Sequence, residues 1–132
     1  MNICYISNSA APSKNASSLQ TANLCSSLKS QGHKVKLILP DTGLRINYFK
    51  YYGIKKKFKI IRLKFFNKFP LGIYYYLFAI VSILKSDLRN QDIYITRNYL
   101  VSLVLVFLKK KHILEVHNDL EIEGRIIKFL VI

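Results

Sequence analysis

The strongest constraint on this chain is the succession of patterns over residues 1–39. Ile3-Cys4-Tyr5-Ile6 is a short apolar run bounded by polar residues, as expected of a strand buried on both faces of a parallel sheet. A polar loop, residues 7–16, follows it. Ser17-Ser18-Leu19-Gln20 then has the spacing of a capping box: a serine at the cap and a glutamine three residues on satisfy free amides of a new helix. Leu19, Ala22, Cys25 and Leu28 give that helix an apolar stripe, and Gly32 is placed to end it. Val35-Lys36-Leu37-Ile38-Leu39 starts a second strand almost at once. The helix N-terminus is thereby aimed at whatever sits above the first strand, and its amides and dipole favour an anion. The loop holds no glycine, so neither the dinucleotide fingerprint nor a P-loop is present. On architecture alone the unit builds a sheet and needs no ligand.

The same alternation continues. Residues 46–52 form a short helix ended by Gly53, and Lys55-Lys56-Lys57 leads into a third strand over 58–63. Basic and aromatic residues interleave in Lys64-Phe65-Phe66-Asn67-Lys68-Phe69-Pro70, after which a long apolar helix runs to about residue 85. A fourth strand covers 92–97, Asn98 caps a helix over 99–108, and Lys109-Lys110-Lys111 complements its C-terminal dipole. A fifth strand, 112–117, precedes Asn118-Asp119 and a last helix from about residue 120 to the end. Strands alternating with helices at short spacing predict an α/β fold, a three-layer parallel sheet with right-handed crossovers. The apolar stretch 69–84 would be only about 24 Å long as a helix. A bilayer core is roughly 30 Å thick, so this helix is expected to pack on the sheet, with Tyr74-Tyr75-Tyr76 suited to a shallow interfacial position.

Charge narrows the partners. With 21 basic and 7 acidic residues among 132, the chain carries a formal charge of +14, which favours an anionic partner: membrane lipid, polyphosphate or nucleic acid. Biased composition is the plain alternative, since solvated lysines need no partner. Residues 55–68 concentrate the charge in Lys55, Lys56, Lys57, Lys59, Arg62, Lys64 and Lys68, with no acidic residue between them. Of these, Lys55, Lys56, Lys57, Arg62, Lys64 and Lys68 are the expected contacts to an acidic membrane surface. No RNP signature accompanies the aromatics, so nucleic acid is not an expected partner. Cys4 and Cys25 have the placement of small core residues, not of a disulfide framework, which points to a reducing compartment. The apolar start is too short for a signal peptide.

The opening Met1-Asn2-Ile3-Cys4-Tyr5-Ile6-Ser7 and the helix closing on Gly32-His33 before a strand that ends at Pro40 resemble the N-terminal domain of glycosyltransferase family 4. Ile93-Tyr94-Ile95-Thr96-Arg97 and Glu115-Val116-His117-Asn118-Asp119 are similar to that family's strand ending in Thr-Arg and its Glu-x-His segment. Where many members carry Gly-Gly in the first loop, Lys14-Asn15-Ala16-Ser17 stands instead, as in a subset with a small polar loop. The resemblance spans nearly the whole chain. It implies a Rossmann-like sheet of order 3-2-1-4-5, the N-terminal half of a GT-B fold, over residues 1–132 and incomplete after the fifth strand. On that reading the chain is a fragment, a truncated product or one half of a split enzyme. In the last case the donor-binding second domain would be a separate polypeptide.

The implied activity is retaining transfer of a sugar from a nucleotide-sugar donor to a lipid-linked or glycan acceptor, in surface polysaccharide or glycolipid assembly. It would take place in the cytoplasm at the inner face of the membrane, with the chain inactive by itself. The resemblance places His117 at the sugar-transfer cleft as the catalytic residue. It makes Asn15, Ser17, Ser18, Arg97, Asn98, Glu115 and Asp119 its substrate-binding neighbours. By chemistry Arg97 can clamp a phosphate or pair with Glu115 or Asp119, and Glu115 can orient the His117 imidazole. No cofactor is expected. Glu115, His117 and Asp119 are metal-ligand types, but their spacing at a strand end is weak ground for a metal. The reading of another class is a basic, non-catalytic module that binds an acidic membrane or a partner protein.

Overall fold

The computed structural model describes residues 1–9, 11–41, 46–64 and 71–116. Strands and helices alternate in the order β1 (Asn2–Ile6), α1 (Ala16–Ser30), β2 (Lys34–Pro40), α2 (Tyr48–Tyr52), β3 (Lys59–Leu63), α3 (Leu71–Lys85), β4 (Ile93–Thr96), α4 (Tyr99–Phe107) and β5 (His112–Leu114). The five strands form one all-parallel sheet in the order β3-β2-β1-β4-β5, a Rossmann-like α/β arrangement as the alternation predicts. Successive side chains on a strand point to opposite faces, and two cores result. Tyr5, Val35, Leu37, Leu39 and Ile95 pack on one side with Ala22 and Cys25 of α1 and Tyr48 of α2. Cys4, Ile6, Ile38, Leu63 and Tyr94 pack on the other with Phe78, Ala79 and Ile83 of α3 and Val101 and Leu105 of α4.

The start of α1 differs from the capping-box expectation. The helix begins at Ala16, with Asn15 as its N-cap and no side-chain cap bond. Gln20 does not fold back onto the cap, because its amide oxygen accepts from Arg97 at 3.1 Å. Leu19, expected in the stripe, is 47% exposed, while Ser18 and Thr21 are buried instead. The helix is rotated so that Thr21 meets the polar end of Tyr5, Ser18 turns under the preceding loop to Ser13, and Leu19 faces solvent. The C-terminal end follows expectation. Gly32 has φ 92, and its amide and that of His33 close on Lys29 O and Leu28 O at 3.1 and 3.3 Å. The end of α4 has the same pattern with Lys109 (φ 55) in place of glycine: Lys109 N and Lys110 N reach Val106 O and Leu105 O.

α3 covers its core with Phe78, Ala79, Ser82 and Ile83 and leaves Ile73, Tyr76, Ile80 and Leu84 exposed on the far side. Fifteen residues make it about 22 Å long. Among the described residues no helix is long and apolar enough to cross a membrane. β5 is shorter than expected, ending at Leu114, although Glu115 N still reaches Thr96 O at 2.9 Å. The last expected helix lies outside the described residues.

Two predictions test this packing. Lys109→Gly should stabilise the protein by about 1 kcal/mol, because a side chain in the left-handed region is disfavoured by that order, and urea unfolding reads it directly. Cys4 and Cys25 are free and fully buried, and burial pushes both thiols up to about 12 from 9.0. The folded state therefore holds these protons where the unfolded chain has begun to lose them. Their contribution to stability is complete below about pH 9 and is lost as pH rises toward 12. An aromatic disulfide reagent should find no reactive thiol in the native protein and two in denaturant.

Candidate functional site

The strand order reverses at β1, which has β2 on one side and β4 on the other. α1, following β1, packs on one face and α4, following β4, on the other, so the switch point of the sheet lies at the carboxyl ends of β1 and β4, where folds of this kind bind their ligands. Thr96 ties the two strands there: its hydroxyl donates to Ile6 O at 3.0 Å and accepts from Asn98 N at 3.0 Å. Asn98 then caps α4, its Oδ1 accepting from Leu100 N and Val101 N at 2.9 and 3.4 Å. Its other side-chain atom, Nδ2, is a buried donor with no partner among the described residues.

A polar network lies at this edge, on the α1 side of the sheet. Tyr5 projects from β1 with its ring fully buried, and its hydroxyl donates to Glu115 Oε2 at 3.0 Å. Burial, foremost, pushes this phenol up to about 12, so it stays a donor at neutral pH. Thr21 of α1 donates to Ser17 O at 2.9 Å and stands 3.4 Å from the Tyr5 oxygen. Arg97, just after β4, is the hub. Its Nε donates to Glu115 Oε2 at 2.8 Å, Nη1 to Ser17 O at 3.3 Å and Nη2 to Gln20 Oε1 at 3.1 Å. One side chain therefore links the first turns of α1 to the end of β5. The Arg97 and Glu115 side chains are 16% and 23% exposed, so the pair is shielded but open to solvent on one side.

The first loop is held from the other direction. Ser13 N donates to Tyr52 OH at 3.0 Å, and Arg62 Nη1 to Ala11 O at 2.9 Å. Ser13 Oγ donates to Ser18 Oγ at 3.0 Å. Of the residues expected at the site, Ser17, Arg97 and Glu115 come together, Ser18 lies buried beneath the loop, and Asn98 is a cap. Asn15 is exposed at the start of α1. His117 and Asp119 lie outside the described residues. Lys55, Lys56, Lys57 and Lys64 are exposed, Arg62 is turned toward the loop, and Lys68 lies outside the described residues. Among the described residues no group of His, Cys, Asp and Glu could hold a metal.

Tyr5, Thr21, Gln20 and Tyr52 belong to the network although the sequence reading did not single them out as site residues. A signal for Tyr5 was present: a tyrosine in a buried aliphatic strand needs a partner for its hydroxyl. Thr21 and Gln20 carried no such signal, since either could equally face solvent. The cluster supplies a fixed cation, a carboxylate and a phenol, but among its described members no activated nucleophile. Compared with known proteins, the chain matches no family model and no curated protein.

The network makes a testable claim on stability. Arg97→Met leaves a shielded carboxylate without its cation and should cost about 1–3 kcal/mol. A cycle of Arg97→Met, Glu115→Gln and the double variant in urea should give a double-variant loss clearly below the sum of the single losses.

Proposed function

We propose that the chain is the acceptor-side half of a retaining glycosyltransferase of surface polysaccharide or glycolipid assembly, which transfers no sugar by itself. The observation that carries this reading is the convergence at one switch-point crevice of three segments: the start of α1 with its preceding loop, Arg97-Asn98, and Glu115. These are the segments to which the family resemblance assigns the sugar-transfer cleft. In this reading Arg97 acts mainly through others, fixing Glu115 and the first turn of α1, and Glu115 orients the residues that follow it, His117 first. The nucleotide-sugar lies between this edge and a second domain that closes over it and excludes water. The exposed lysines Lys55, Lys56, Lys57 and Lys64 hold the protein against the acidic inner leaflet, near a lipid-linked acceptor.

Those same lysines favour the second reading, a basic module that binds membrane without catalysis. Transfer of labelled sugar from a panel of nucleotide-sugars, with the 132-residue chain alone and with a donor-binding domain polypeptide added, separates the two. The expected result is no transfer alone and transfer in the mixture, reduced about tenfold or more by Arg97→Ala, a loss of about 1.4 kcal/mol in transition-state stabilisation. Transfer by the chain alone would overturn the half-enzyme reading, and none in any mixture, while vesicles with acidic lipid still bind the protein, would overturn the transferase reading.

A further inference from the structure

The opposite edge of the sheet, at the amino ends of the strands, holds a cavity of about 500 Å³ lined by Lys29, Lys34, Lys36, Lys57 and Lys59. We propose that it binds a compact anion carrying two or more phosphate groups, whether free in solution or displayed as a lipid headgroup. This site does not rest on the transferase reading, although it shares Lys57 with the lysines placed against the membrane there.

The register concentrates the charge. Lys36 of β2 stands directly beside Lys59 of β3, and Lys34 and Lys57 precede them by two residues each. Adjacent parallel strands lie about 4.8 Å apart with in-register side chains on the same face, so like charges are set side by side, an arrangement that destabilises a sheet. No ion pair to these lysines is found among the described residues, where the salt bridge is Arg97–Glu115 at the other edge. The lining has one carboxylate, Asp87, which accepts from Asn90 Nδ2 at 2.6 Å and offsets one of the five positive charges at most.

Helix ends account for only part of this. α1 and α3 both terminate at this edge. Lys29 lies in the last turn of α1, and Lys36 Nζ donates to Ser86 O just beyond α3, where cations are favoured. Lys34, Lys57 and Lys59 have no such duty and are exposed. The wall around them is pinned, with Asn2 Nδ2 on Asn90 O and Gln91 Nε2 on Ser86 O, each at 2.7 Å. The amides are consumed in building the wall, and the ammonium groups are what a ligand meets. The volume is that of a small-molecule site and exceeds the needs of a single phosphate, while five cations suit an anion of several charges.

The test is calorimetric titration of the full chain with inorganic tripolyphosphate, then with orthophosphate, at physiological ionic strength. Saturable one-to-one binding is expected, with orthophosphate much weaker. Replacing Lys34, Lys57 and Lys59 by glutamine should weaken it about tenfold or more, whereas replacing the exposed Lys14, Lys109 and Lys111 removes the same charge and should leave it nearly unchanged. Tripolyphosphate should also raise the urea midpoint of the natural chain but not of the Lys34/Lys57/Lys59 variant, which is expected to fold normally because repulsion is relieved. Equal losses in the two variants, non-saturating heats, or orthophosphate binding as tightly would overturn the proposal. Phosphatidylcholine vesicles with and without cardiolipin identify the source. Sedimentation with cardiolipin that is lost in the Lys34/Lys57/Lys59 variant and competed by tripolyphosphate assigns a lipid headgroup. Tripolyphosphate binding at the pocket with sedimentation unchanged in that variant assigns a free ligand.

Discussion

Everything in this molecule depends on β1 being buried on both faces between two parallel neighbours. Ile3, Cys4, Tyr5 and Ile6 are each no more than 3% exposed, and they alternate between the two cores. Each such side chain contributes about 1.5–3 kcal/mol through burial, but only if helices cover both sides of the sheet. That requirement sends α1 and α2 to one face and α3 and α4 to the other. β1 is also the strand at which the order reverses, which fixes where a crevice can open.

Tyr5 shows how the core and the crevice are one construction. Its ring fills the core beneath α1, and its hydroxyl emerges at the carboxyl end, where it meets Glu115. Tyr94, on the neighbouring strand, points to the other core and places its hydroxyl 2.6 Å from Ser86 Oγ. Each phenol buries a large apolar surface and satisfies its polar tip with a side chain from a different element, which fixes that element's position. Arg97 extends the same logic to the surface by joining α1 to the segment after β5.

Charge is distributed by edge. At the carboxyl edge Arg97 is matched by Glu115 and by backbone and amide oxygens. At the amino edge five lysines line one cavity with a single carboxylate among them. The overall excess of +14 is thus not a uniform coat of solvated lysines. Where register forces lysines on adjacent strands into neighbouring positions, repulsion persists unless an anion relieves it.

The sequence alone determined the element order, the parallel sheet and the Asn98 and Gly32 helix ends, because short apolar runs, helical periodicity, a capping side chain and a left-handed glycine are local properties of the chain. It also bounded the membrane question, since the length of the α3 stretch is countable from residues. Local pattern failed at the start of α1. Ser17-Ser18-Leu19-Gln20 satisfies the capping-box spacing, but Gln20 is taken by Arg97, 77 residues away along the chain, and the helix's rotation goes with Thr21 meeting Tyr5 and Ser18 meeting Ser13. The two alternatives for Arg97, a phosphate or Glu115, were equal in the sequence because each is good guanidinium chemistry. Only the pairing of β5 beside β4, which sets Leu114 opposite Thr96, brought the carboxylate within 2.8 Å of Arg97. The lysine cavity was likewise beyond reach of composition: Lys36 and Lys59 became neighbours through strand register, which is set by the burial of Leu37, Ile38 and Leu39 against β3 and not by anything local to the lysines.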